Sequence, residues 1–186
     1  MRYPAAETAE KHVRILDQAA RLFRERGFSG VSLSEIMKAT GLTHGPFYNH
    51  FASKEALIAE SLAHASAASM AGLEAASVSE EAMREYVRTY LGAGHRDAPG
   101  EGCLMAAMGS EIAREPAART AFTVHLKATL DRLAALFPWS SKRPARSDAI
   151  RMTASMVGAM VLARAVDDPA LSDEILREVR SQFGDR

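Results

Sequence analysis

Three features predict an all-α chain. Apolar residues recur at helical spacing, no segment alternates with period two for long enough to form a strand, and helix caps and breakers fall between the periodic runs. Together they divide the 186 residues into about nine helices. The first runs from about Glu7 to Arg26. Leu16, Ala19, Ala20 and Phe23 form its apolar stripe, broadened by Ile15 and Leu22, with Arg14, Asp17, Arg21 and Glu25 opposite. Gly27 and Phe28 give it a C-terminal cap with a hydrophobic contact. The second helix opens on Ser32 and Glu35, an S-x-x-E capping box in which each side chain satisfies a free backbone N–H. Val31 and Ile36 sit where a hydrophobic staple would. This helix runs to about Ala39, and Gly41 stands where a left-handed residue would end it. Thr43 can cap a third helix, which tolerates Pro46 because first-turn N–H groups have no internal partner.

Ser53 caps a fourth helix, from Lys54 to about Ala76, with Leu57, Ile58 and Leu62 inward. Its Ala/Ser-rich far half suits a connecting helix that crosses from one domain to another. Ser77 or Ser79 caps a fifth, ending near Gly92–Gly94. His95 to Gly102 reads as a loop. The sixth spans about Cys103 to Arg114, and Pro116 starts a seventh that ends near Phe137. A basic, Pro-containing loop follows to Arg146. Ser147 caps the eighth, which reaches about Val166, and Pro169 or Ser172 starts the ninth, which stops at Gly184.

The second and third helices, with the glycine turn between them, make a helix-turn-helix pattern over about 32–51. The third helix is too short to be stable alone. Leu42, Phe47 and Phe51 can bury against the rest of the domain, leaving Thr43, His44, Tyr48, Asn49 and His50 outward. Gly45 and Pro46 let the backbone approach a surface closely. Hydroxyls, an amide and imidazoles suit phosphates and base edges. Taken alone, the pattern reads equally well as a capped helical hairpin. Lys54 at the first position of the fourth helix opposes the helix dipole. That placement makes sense with an external anion such as a DNA phosphate, or as a solvated lysine.

T-H-G-P-F-Y-N-H-F followed by A-S-K-E-A-L resembles the DNA-binding arm of the TetR family of bacterial transcriptional repressors. Upstream, A-A-R-L-F-R-E-R-G-F-S-G-V-S-L-S-E-I resembles its first helix and the start of its second. The resemblance covers roughly residues 9 to 69. Pro46 stands where many members carry a polar or small residue, and Leu33 where a hydroxyl or β-branched residue is usual. The resemblance implies an N-terminal three-helix DNA-binding domain (9–69) and a C-terminal helical domain for ligand binding and dimerisation (77–186). It implies a homodimeric, ligand-responsive repressor of a palindromic operator, with the third helix in the major groove of double-stranded DNA and the fourth helix moving the arm. The implied DNA contacts are Ser32, Ser34, Thr43, His44, Gly45, Pro46, Tyr48, Asn49, His50 and Lys54. Of these, Tyr48, His50, Lys54 and the Ser32 region face phosphates, and Thr43, His44 and Asn49 are best placed for bases.

In the second domain, the eighth helix interleaves Ala154, Ser155, Gly158, Ala159 and Ala163 with Met152, Met156 and Met160. With Ile175, Leu176, Val179 and Phe183 of the ninth, this face packs closely either within the chain or between chains. The resemblance implies the latter, a four-helix dimer interface. It also implies a pocket enclosed by the fifth to eighth helices for a small, largely apolar effector. Candidate lining residues are Tyr86, Tyr90, Met105, Met108, Phe122, Leu126, Met152 and Met156, each of which would serve equally as core. Glu111, His125 and Arg164 can fix a polar ligand group or be paired, Arg164 with Asp168 four residues on. Cys103 reads as a small buried residue or, at a helix start, as a redox-sensitive thiol.

Composition bounds the remaining choices. Formal net charge is zero, and residues 1–58 hold eight basic and six acidic side chains, a weak footprint for a DNA binder. DNA binding therefore rests on the motif and on dimerisation. A single cysteine forbids an intrachain disulfide. No apolar run reaches membrane-spanning length and the N-terminus lacks a signal-peptide core, so a soluble cytoplasmic protein without a membrane partner is expected. No metal-ligand spacing, no H-x-x-x-H or E-x-x-H pair and no Gly-rich phosphate loop is present, so neither a catalytic residue, a metal nor a cofactor is assigned and the chain is not expected to be an enzyme. Two alternatives stay open: a helical ligand carrier or enzyme, and a DNA-binding regulator controlled by a protein partner.

Overall fold

The computed structural model describes residues 5–42, 45–76, 79–137, 139 and 142–183. Among them the chain forms nine α-helices and two 3-10 helices, with no strand. α1 (Ala5–Arg26), α2 (Leu33–Ala39), a 3-10 helix (Gly45–Asn49) and the start of α3 (Lys54–Ala76) make the N-terminal arm. α4 (Glu80–Tyr90), α5 (Ala93–Asp97), a 3-10 turn (Pro99–Glu101), α6 (Leu104–Ile112), α7 (Pro116–Leu136), α8 (Ala145–Ala165) and α9 (Pro169–Phe183) make the rest.

The arm folds because the α1 stripe has something to cover. Ile15, Leu16, Ala19, Leu22 and Phe23 bury against Ile36 and Met37 of α2, Phe47 and Phe51, and Leu57, Ile58 and Leu62 of α3. The same apolar cluster continues into Leu104, Met108 and Ile112 of α6 and Ala118 of α7. The two halves of the chain are therefore fused through one core. A second core joins Val87 and Leu91 of α4 to Met152, Met156, Ala159, Met160 and Ala163 of α8 and Leu176 of α9. A third, with Leu73, Met83, Leu130, Leu133 and Ala149, ties the far end of α3 to α4, α7 and α8. α3 packs on α1 at one end and on α7 at the other, as a connecting helix must.

Two boundaries and one side-chain pairing differ from the sequence expectation, while α9 starts at Pro169, one of its two expected starts. The stretch read as a loop from His95 to Gly102 holds most of α5 and the 3-10 turn. Its carbonyls find donors far away: Arg164 on α8 donates to the backbone oxygens of Arg96 (3.0 Å) and His95 (2.6 Å). α8 starts at Ala145 with Pro144 at its N-cap, and the Ser147 N–H donates to the Pro144 carbonyl at 2.8 Å. At α9, Asp168 accepts from Ala170 N–H at 2.9 Å and caps the helix, so it is not the partner of Arg164. Of the two caps considered for α4, Ser79 accepts from Ala82 N–H at 3.1 Å; Ser77 lies outside the described residues, as does Gly184.

Candidate nucleic-acid interface

The entry to α2 is fixed before anything binds it. Ser32 Oγ accepts from Glu35 N–H at 3.2 Å, and Glu35 accepts from Ser32 N–H at 2.9 Å, closing the capping box. The Ser32 backbone and hydroxyl, then Arg26 at 2.8 Å, hold the Glu35 carboxyl down at about 2. α2 ends at Thr40, and Gly41 follows with φ +74°, a conformation that disfavours a β-carbon.

The element expected as a third α-helix is a 3-10 helix of five residues. Thr43 and His44 lie outside the described residues, as do the side-chain environments of Gly45 and Pro46. Phe47 is fully buried and Phe51 nearly so, their rings 5.7 Å apart. This pair anchors the element and turns the next residue outward. Tyr48 is 65% exposed, with its ring edge on Phe47, and Asn49 is exposed beside it. His50 is half-buried near Phe51 and His12; burial, with the His12 and Lys11 charges nearby, lowers its pKa. It therefore presents a neutral imidazole. Ser32 and Ser34 are exposed at the start of α2.

Lys54 has an internal task. Its Nζ donates to the Phe28 and Val31 carbonyls, each at 2.6 Å, and so clamps the α1–α2 turn. Two of its three donors are used there, which explains a lysine at a helix start without an outside anion.

The α1–α2 turn is also held from the second domain. Glu111 on α6 accepts from Phe28 N–H at 2.7 Å. Gly27, at φ +75°, leaves the space: a β-carbon there would lie 2.0 Å from the Glu111 carboxylate. Arg24 Nε reaches the opposite way and donates to the Gly100 carbonyl at 2.7 Å.

The effector candidates separate into two groups. Tyr86, Tyr90 and Met105 line a cavity of about 720 Å³ between α1, α3 and the second domain. Met108, Met152 and Met156 are buried in the cores, Phe122 and Leu126 pack against the cores, and Glu111 holds the α1–α2 turn. Those six do not line the cavity. Its other walls include Asp17 and Arg21, which the sequence places only opposite the apolar stripe of α1, and Arg24, to which the sequence assigns no role. His125 is buried with neither ring nitrogen partnered, and burial lowers its pKa. No helix among the described residues is long and apolar enough to cross a membrane.

Comparison with known proteins matches residues 15–61 to the model of bacterial regulatory proteins of the tetR family. The chain is similar to the HTH-type transcriptional regulator AcrR of Shigella flexneri, 48% identical over 54 residues, 29% of this chain and 25% of that protein. It is also similar to the HTH-type transcriptional repressor KstR2 of Rhodococcus jostii, 42% identical over 62 residues, 32% of this chain and 30% of that protein. The matched stretch thus spans about a quarter of these relatives' length. Two solved structures share the fold along nearly the whole chain. NemR of E. coli, in its reduced form, has a TM-score of 0.81 and 21% identity, covering 95% of this chain and 96% of its own. A regulator from Agrobacterium tumefaciens has a TM-score of 0.79 and 24% identity, covering 94% and 98%. The capped helix-turn-helix on its aromatic anchor and the family match over that segment lead to one conclusion: residues 15–61 form an N-terminal domain of the tetR family of bacterial regulatory proteins, set in an all-helical fold that such regulators share.

Proposed function

We propose that this protein is a homodimeric transcriptional repressor that binds a palindromic operator and releases it when a small, largely apolar molecule enters the second domain. The observation that carries the reading is the arm: exposed Tyr48 and Asn49 on a short helix pinned by buried Phe47 and Phe51, beside the exposed hydroxyls of Ser32 and Ser34. These groups suit phosphates and base edges. The DNA-contact set is Ser32, Ser34, Thr43, His44, Gly45, Pro46, Tyr48, Asn49 and His50, with Lys54 acting mainly on the turn behind them.

Dimerisation is supported by the outer face of α8 and α9. Ile150, Val161, Leu162 and Leu171 are between 41% and 57% exposed, an apolar stripe that a second copy would cover. One five-residue element reads few bases, and two related by a two-fold axis read half-sites about one DNA turn apart. The cavity supports ligand response, because its walls come from both the arm and the second domain. A molecule bound better in one arm orientation shifts the equilibrium by that difference in affinity. The protein acts in the cytoplasm as a regulator and not as an enzyme.

The test is retention of sheared genomic DNA by the purified protein at moderate salt, followed by sequencing. An enriched palindrome is expected, and the double variant Tyr48→Ala, Asn49→Ala should lose the enrichment while keeping its fold. Equal enrichment by the variant would sink this docking.

A further inference from the structure

The end of α1 is locked to the second domain at two points of matching construction. On one side, Glu111 of α6 accepts from the Phe28 N–H at 2.7 Å, and its carboxylate lies against Gly27, where a β-carbon would come within 2.0 Å of it. On the other, Arg24 Nε donates to the Gly100 carbonyl at 2.7 Å. There the Glu25 carboxylate lies against Gly100, where a β-carbon would come within 2.4 Å of it. Each half of the chain thus presses a carboxylate onto a glycine of the other, and a hydrogen bond closes each contact. Glu101 and Glu25 are the charged carboxylate neighbours of Arg24 and keep it at the joint.

The two partners belong to one continuous segment. Gly100 lies in the 3-10 turn and Glu111 in α6, and between them Glu101, Gly102, Cys103 and Met105 wall the 720 Å³ cavity. On the arm side, the hold reaches the face expected to meet DNA. The Phe28 carbonyl accepts from Lys54 Nζ at 2.6 Å, at the start of α3. Arg26 Nη2 donates to the Gly30 carbonyl at 2.7 Å and to Glu35 of the α2 capping box at 2.8 Å. Ser32 and Ser34 sit at that same start of α2. The apolar core shared by α1 and α6 resists separation of the two halves, but it is non-directional. Directed hydrogen bonds select one orientation.

We propose that Arg24 and Glu111 are positioning residues for DNA recognition: together they fix the arm in one orientation on the Gly100–Glu111 segment, and so set the spacing between half-sites that a dimer accepts. Neither belongs to the DNA-contact set. A dimer offered half-sites too close or too far apart must turn its arms, and the turn breaks these bonds. The spacing role rests on the reading of the chain as a dimeric, operator-binding regulator.

The test starts from DNA that the wild-type protein retains. Its palindrome is resynthesised with a base pair added or removed between the half-sites, and full-length wild type and variants are titrated against each version. Glu111→Ala and Arg24→Met should each reduce the preference for the natural spacing by about tenfold while reading the same half-site, because each loses a hydrogen bond to a charged group. Glu111→Gln keeps an acceptor for the Phe28 N–H and should retain part of the preference. Met83→Ala, in the third core, lowers stability and should leave the preference intact. Thermal melts establish that each variant is folded. In the DNA-free chain, spin labels at Ser34→Cys and Lys127→Cys, both exposed positions, report the distance from arm to second domain. They are placed in a Cys103→Ser background and diluted in unlabelled protein, so that only distances within one chain are read. One narrow distance is expected, broadened by Glu111→Ala and by Arg24→Met. An unchanged spacing preference in both folded variants, or an unchanged distance distribution, would overturn the proposal. A wild type that retains no palindrome would instead sink the operator reading, and the label distances would still decide whether the two residues hold the arm.

Discussion

Gly27→Ala and Gly41→Ala, compared side by side, measure how firmly the second domain holds the DNA arm. Both glycines have φ near +75°. An alanine in that conformation costs about 1 kcal/mol relative to glycine. At Gly41 nothing lies within 4 Å of the new β-carbon, so strain is the whole cost. At Gly27 the β-carbon would sit 2.0 Å from the Glu111 carboxylate and drive it off the Phe28 N–H. A hydrogen bond to a charged group contributes about 1.5–3 kcal/mol. Gly27→Ala should therefore cost about 2.5–4 kcal/mol, against about 1 for Gly41→Ala. In a Glu111→Ala background the cost of Gly27→Ala should fall back to about 1 kcal/mol, a coupling of about 1.5–3 kcal/mol. Urea midpoints at one protein concentration give these numbers if the slope is constant. Equal costs at the two glycines, or additive costs for the Gly27 and Glu111 changes, would refute the contact's role.

Further expectations follow from groups already placed. Lys54→Met removes both carbonyl contacts and should destabilise the arm by about 1–3 kcal/mol. Its DNA affinity should fall with the salt slope unchanged, whereas loss of a phosphate contact would flatten that slope by about one. His50, His95 and His125 all have lowered pKa values, so each is neutral in the folded chain and titrates near 6.5 when unfolded. Their contribution is complete above about 6.5 and is lost as pH falls toward their folded values, so the melting temperature should drop between pH 7.5 and 5.5. His125→Leu removes two buried, unpartnered nitrogens and should raise stability by about 1–3 kcal/mol while weakening that acid dependence. A melt showing His125→Leu less stable at both pH values would contradict the burial argument.

Local signals were legible where the physics is local. The α1 stripe, the Ser32–Glu35 box, Gly41 and the Phe47–Phe51 anchor are all written within a few residues of where they act. α5 was not legible, because its carbonyls are satisfied by Arg164, 68 residues from Arg96. Six of the nine pocket candidates lie off the observed cavity for a related reason. Met108, Met152 and Met156 have the adaptable side chains of a pocket, but tertiary packing spends them on the cores. Arg24 and Arg21 look like solvated positions on α1 until the Pro99–Glu101 turn is laid over them. Lys54 shows the same limit: its position at a helix start is readable, while its two carbonyl partners lie 26 and 23 residues earlier.

The most direct test of the central claim is a hydroxyl-radical footprint of the protein on a fragment it retains. Two arms related by a two-fold axis should protect two half-sites centred about one helical turn apart, on one face of the duplex. The footprint should vanish for a Val161→Arg, Leu162→Arg variant that sediments as a monomer. A single short protected patch, or unchanged protection by a monomeric variant, would contradict the account.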